Sequence, residues 1–330
     1  MSIIPVTVPT GAIRYNTDSN KMECFNGTKW MQIAVSSHDL NGGARGLFGG
    51  GSAPVGTDVI QYITIPTAGN AIDFGNLTVG RIGIGACASP TRAVFGGGIN
   101  APAASDVLDF VTISSTGNAT DFGNLITALR QKAALSNATR GIFSGGYVPS
   151  PLSFKNEIDY ITISSTGNAV DYGDLTGIRG GLGGCSSPTR GLFVGATNSS
   201  GTYNTIDYVT IATLGNAEDF GDLDGVRAGA GVCSNSIKGV FGGGYNPSNL
   251  ITIQQVNIAT IGNAFSFGDL VAANKTLVAH SSPTRAVFGG GLSDVIQYIE
   301  FATAGDAVDF GDLLATNQQL SATSNAHGGL

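Results

Sequence analysis

One stretch of this chain returns six times, and its spacing limits what the chain can fold into. Ser282-Pro283-Thr284-Arg285-Ala286-Val287-Phe288-Gly289-Gly290-Gly291 is nearly reproduced at residues 89–98, mostly kept at 187–193, and kept in its second half at 45–51. Residues 140–146 and 238–244 complete the set. The phenylalanines Phe48, Phe95, Phe143, Phe193, Phe241 and Phe288 lie 47, 48, 50, 48 and 47 residues apart. A period near 48 implies copies that bury their apolar surface against one another, because one copy is too small for a core of its own.

Each copy has the same internal order, taken here from the second. Segment a covers residues 81–89, b 92–98, c 106–113 and d 118–125. Gly, Pro, Asn and Ser punctuate these short apolar runs, and none holds a 3.6-residue period long enough for a helix. The Val, Ile, Tyr and Thr of segment c suit a strand covered on both faces. Four short strands per copy fit the blade of a β-propeller.

An arginine, an apolar strand closing on glycines, and a later aspartate-led aromatic strand resemble the kelch repeat. The resemblance covers residues 36–330 and implies an all-β fold, a six-bladed kelch-like propeller. Kelch repeats usually carry a tryptophan in the last strand; here Phe74, Phe122, Tyr172, Phe220, Phe267 and Phe310 fill that slot. The first copy starts at segment b, whereas residues 320–326 form an extra a-like stretch. That stretch is expected to complete the first blade as a clasp, leaving no open sheet edge. Arg45, Arg92, Arg140, Arg190, Lys238 and Arg285 open segment b. Asp73, Asp121, Asp171, Asp219 and Asp309 stand in segment d, with Ser266 in the copy that carries Lys238. Their joint departure predicts a structural Arg–Asp contact.

Residues 1–35 lie outside the repeat and read as a three-stranded meander with an Asn-Gly turn. Such a unit is too small for its own core and calls for a partner surface. Gly11, Arg14-Tyr15-Asn16-Thr17, Asn26-Gly27-Thr28 and Trp30 resemble a short β-module near the start of many tailed-phage virion proteins. That resemblance implies attachment to other virion proteins through residues 1–35.

Only 12% of residues are charged and the net charge is −7, which argues against a nucleic-acid partner. No apolar run reaches membrane-spanning length and the first residues lack signal-peptide character, so no membrane insertion and synthesis in the host cytoplasm are expected. Cys87, Cys185, Cys233 and His280 each stand five residues before the cation of segment b. Their wide spacing lacks the close pairs of a zinc site, and buried reduced side chains are expected. Kelch propellers include a copper oxidase family, but three histidines scattered over different copies do not assemble its ligands. No metal, no cofactor and no enzymatic activity are expected.

Alternating strands put the short a–b and c–d turns on one face and the variable b–c and d–a loops on the other. The b–c loops are longest in copies three to five. There Tyr147, Phe154, Tyr203 and Tyr245 are the aromatic candidates for binding, with Lys155, Asn198, Asn204, Asn246 and Asn249 as polar ones. Polar and aromatic loops on a rigid scaffold suit adaptable contacts. The expected protein is a phage virion component displaying this face to a host cell-surface glycan or protein. A purely structural capsid, neck or tail decoration is the second reading and a kelch-type enzyme the third.

Overall fold

The computed structural model describes residues 8–16, 21–32, 44–52 and 56–330, and the chain divides into two compact units, Met1–Asn41 and Gly42–Leu330. In the first, Ile13–Asn16, Lys21–Phe25 and Trp30–Gln32 form an antiparallel sheet in sequence order. Asn26 makes the second turn: its side-chain oxygen accepts the amides of Thr28 at 3.0 Å and Lys29 at 2.9 Å. Arg14 donates to Glu23 at 2.8 Å and lies 4.2 Å from the Trp30 ring centre, while Phe25 packs 5.4 Å from that ring. Strand alternation turns Ile13, Tyr15, Met22 and Met31 the other way, and they are 61, 55, 43 and 46% exposed.

The second unit is all-β, built mainly of six four-stranded antiparallel sheets. Sheet two runs a, b, c, d as Gly85–Ala88, Arg92–Gly96, Val107–Thr112 and Thr120–Asn124. Strands a of sheets three to six are Ala133–Ser136, Gly183–Ser186, Gly231–Ser234 and Leu277–Ser281. Sheet one takes b, c and d from Arg45–Gly49, Val59–Thr64 and Ile72–Asn76, and its strand a is Ser321–Ser324. The register there pairs Ser321 with Gly49 and Ser324 with Gly46.

Six hydrophobic clusters lie where consecutive sheets meet, and one of them joins sheet six to sheet one through Val287, Ile296, Phe310, Phe48, Ile63 and Ile65. The repeated phenylalanines are fully buried in them, each worth about 2–3 kcal/mol of burial. Where a glycine follows the phenylalanine, in sheets one, two, five and six, it makes room for the next sheet. A methyl group on Gly49 would stand 2.7 Å from the Phe95 ring, and one on Gly96 2.8 Å from Phe143.

Polar bonds repeat the same sheet-to-sheet order. Arg45, Arg92, Arg140 and Arg190 donate to the carbonyls of Ile113, Ile163, Ile211 and Ile258, each just past strand c of the following sheet. Lys238 donates to Phe301, and Arg285 returns to Ile65 and Pro66 of sheet one. The expected Arg–Asp contact is not made: the partner is a main-chain carbonyl of the neighbouring sheet. Five of these cations also cover an aromatic ring of their own strand c (Arg45 on Tyr62, Arg92 on Phe110, for instance), at 4.3–4.8 Å. Sheet five has Gln255 at that register position, and Lys238 lies instead near Phe267. In sheets two to six the side chain three residues before the cation caps the turn, as where Ser89 and Asn137 accept the amides of Arg92 and Arg140, and in sheet one Asn325 accepts the amide of Arg45.

Three b–c connections fold into two-stranded hairpins: Ile99–Asn100 with Ala103–Ala104, Tyr147–Pro149 with Leu152–Phe154, and Thr197–Asn198 with Gly201–Thr202. Elaboration of this face therefore includes sheet two, one sheet earlier than loop length indicated. No described helix is long and apolar enough to cross a membrane.

Candidate functional site: the central cavity and its rim

The six strands a neighbour one another in cyclic order, each beside the strand a of the next sheet and Ser321–Ser324 beside Gly85–Ala88. Just before each of them, at Gly83, Gln131, Gly181, Gly229, Thr276 and Gln319, the backbone adopts φ between 53 and 73°. The amides there link sheet to sheet. Gly83 donates to Gln319, Gln131 to Gly83, Gly181 to Gln131, Gly229 to Gly181 and Thr276 to Gly229, at 2.7–3.2 Å. This collar surrounds the mouth of a cavity of about 450 Å3.

Ala86, Ala134, Gly184, Val232, Ala279 and Ala322, one from each strand a, form its wall. Gln131, Gln318, Gln319, Thr276, Thr197, Tyr245 and Lys275 give the rim its polar groups. The lining includes no carboxylate. Lys275 holds its ammonium 4.6 Å from the Tyr245 ring centre, an attraction that fixes the charge at the rim.

The opposite end is closed. Ser136 donates its hydroxyl to the carbonyl of Ala88, Ser186 to Ser136, Ser234 to Ser186, Ser281 to Ser234 and Ser324 to Ser281, at 2.5–2.8 Å. Ala88 is the one member without a hydroxyl, and there His327 enters, its Nε2 2.9 Å from the Ala88 carbonyl and 3.2 Å from Ser136 Oγ. Gly329 donates its amide to His327 Nδ1 at 3.1 Å, so the ring carries its proton on Nε2. Burial pushes the His327 pKa down to about 4, opposed by its bond to Ala88. Gly328 and Gly329 lie against the Asn235 and Ser136 carbonyls, leaving only about 50 Å3 of space at this end.

The cysteines and His280 occupy equivalent places on strands a but pack between sheets. Cys87 faces Gly141 and Cys185 faces Gly239, at 2.6 and 3.2 Å from where a methyl would stand, and His280 fills the space beside Gly46. Burial raises all three thiol pKa values, that of Cys185 to about 12. Burial also lowers the His280 pKa to about 3, and neither ring nitrogen has a hydrogen-bond partner among the described residues. Among the described residues no group of three or more His, Cys, Asp or Glu is placed to hold a metal ion.

Beneath the rim lie ion pairs that sequence reasoning missed: Arg81 with Asp109, Lys132 with Asp159 at 3.0 Å, and Arg179 with Asp207, all with buried side chains. Burial pushes the Asp109 and Asp159 carboxyls up and the Arg81 guanidinium down, each opposed by the charge of its partner. Gln61 and Gln297 take the aspartate position in sheets one and six. Asn317 and Asn274 replace the arginine there, bonding to the carbonyls of Gly50 and Gly290. Charge is thus kept or dropped mostly as a pair, a pattern present in the repeats themselves.

Of the nine residues expected on the binding face, Tyr245 alone lines the cavity. Tyr147 and Phe154 face each other across a hairpin with ring centres 5.1 Å apart. Both pack on Gly180, where a methyl would stand 2.9 Å from the Tyr147 ring. Asn198 accepts from the Tyr203 hydroxyl at 3.0 Å within its own loop and donates to the Ile178 carbonyl at 3.0 Å in the connection that precedes Gly183–Ser186. The Lys155 amide donates to Gly146, and the Asn204 carbonyl accepts from Leu223. The Asn246 amide donates to Ser248, and Asn249 is bridged to Tyr245. No protein-family model matches the chain, and no curated protein matches it.

Proposed function

We propose that the six sheets are blades of a kelch-like β-propeller and that the chain is a virion protein of a tailed phage. In this reading residues 1–35 hold it to other virion proteins, while the open mouth faces a host cell-surface glycan or protein. The propeller reading is supported by the cyclic order of the sheets, the core shared by sheets six and one, and the pairing of Ser321–Ser324 with Arg45–Gly49. Attachment is supported by the exposed apolar side chains Ile13, Tyr15, Met22 and Met31 on a sheet of three strands, which has no core to spare them. The observation that carries recognition is the difference between the two ends. One is packed shut by residues 327–329, and the other opens as a cavity of about 450 Å3 among the elaborated loops.

Binding suits this site better than catalysis, since the thiols and imidazoles nearby are buried in their neutral forms and face other elements. A structural decoration is the second reading. It is favoured by Leu152, 60% exposed at a hairpin tip, which would pack on a neighbouring subunit. The deciding experiment carries Tyr245→Ala with Asn249→Ala in particles. Unchanged melting and incorporation with a loss of host adsorption supports recognition. Unchanged adsorption supports decoration.

A further inference from the structure

We infer that the central cavity is a binding site for a carboxylate-bearing sugar residue, a uronic acid type of unit, with Lys275 as the group that takes the carboxylate. This rests on the recognition reading above and names its ligand class. In a chain of net charge −7 with 23 acidic residues, the lining of this cavity contains no acid. Lys275 has no carboxylate partner among the described residues, and its ammonium is steadied by Tyr245 at the rim. Lys132 also reaches the lining, but its charge is taken by Asp159. The cavity therefore presents one uncompensated cation to an incoming group.

The size and the remaining rim groups select a sugar over a bare carboxylate. A volume of about 450 Å3 falls in the range of pockets that enclose whole small ligands, far more than a lone carboxylate fills. Gln131 offers its whole amide to ring hydroxyls; Gln319 offers its amide nitrogen, its oxygen accepting from Arg130, and Thr276 offers the lone pairs of a hydroxyl whose proton goes to the Lys275 carbonyl. All three sit at φ of 53–56°, where the equivalent residues of sheets two, four and five are glycine. Holding a non-glycine residue there costs about 1–3 kcal/mol. Gln319 and Thr276 also bond to Arg130 and to the Lys275 carbonyl, whereas the Gln131 side chain, kept at this cost at the cavity mouth with no hydrogen bond among the described residues, points to use by a ligand.

The test is calorimetric titration of the purified full chain with a galacturonate oligosaccharide, the matching neutral galactose oligosaccharide, and acetate. The expected result is saturable binding of the acidic sugar alone. Lys275→Met should weaken it about tenfold or more, the scale of one charge-assisted hydrogen bond. Gln131→Gly should also weaken it, while the melting temperature holds or rises because the strain is relieved. Equal binding of the neutral sugar, equal binding of acetate, insensitivity to Lys275→Met, or no binding of the acidic sugar each overturns the inference. Host adsorption is measured separately. Adsorption that depends on Tyr245 and Asn249 without acidic-sugar binding leaves the recognition reading standing and removes only this ligand.

Discussion

The side-chain oxygen of Asn70 in the first sheet accepts the amide of Asp312 in the sixth at 3.1 Å, across 242 residues of sequence. Its counterparts follow the same rule. Asn118, Asn168, Asn216, Asn263 and Asp306 accept the amides of Asn76, Asn124, Asp174, Asp222 and Asp269. One residue in each c–d turn thus satisfies an outer-strand amide of the preceding sheet, and the contact between sheets six and one is built like the other five.

That equivalence makes residues 320–330 structural. Their removal takes Ser321–Ser324 from the edge of Arg45–Gly49, and the bare edge becomes a template for pairing with another chain. The expected outcome is a large fall in melting temperature with concentration-dependent aggregation, followed by thermal scanning and light scattering. A truncated chain that melts like the full one contradicts the account.

The buried ion pairs give a second prediction. Asp109→Asn leaves Arg81 charged and without its counter-ion, which costs about 3–5 kcal/mol. Arg81→Asn combined with Asp109→Gln recreates the neutral arrangement of Asn317 and Gln61 in sheet one. The double variant is expected to recover most of the loss, because no charge is then left unpaired. Chemical denaturation of the two variants checks the order.

His280 sets an acid limit. Burial holds its pKa near 3 in the folded chain, against about 6.5 when unfolded. The unfolded state therefore binds the extra proton between these values. The stability contribution is complete above about pH 6.5 and is lost as pH falls toward 3, by about 1.4 kcal/mol per unit from this one group. Replacing it with the cysteine found in three equivalent strands, His280→Cys, should make the acid slope of denaturation shallower by about one proton. His327 acts in the same direction, so some slope is retained. An unchanged slope contradicts the assignment.

Much of the architecture is legible in the repeat because punctuation and alternation mark every strand. Phe95 and Gly96 even announce how sheets nest. The partner of Arg45 is not legible, since it is the Ile113 main chain and a carbonyl leaves no trace in sequence. What does vary with the cation is the aromatic beneath it, as Lys238 and Gln255 show. Asp73 was the wrong correlate. The cavity is harder still: Ala86, Gly184 and Ala322 carry no chemical signature, and only the meeting of six distant strands makes them one wall. Tyr147 reads as a free contact until Phe154 and Gly180 are seen against it.

The central proposal is that the open mouth binds a host-surface ligand and that residues 1–35 hold the chain to the particle. Density for the intact virion, compared between the full chain and a chain lacking residues 1–35, tests this most directly. The account predicts a ring of six sheets at the host-facing tip with Tyr245 and Lys275 outward, and its complete loss from particles when residues 1–35 are deleted. Density elsewhere on the particle with the mouth packed against a neighbour, or normal occupancy after the deletion, contradicts it.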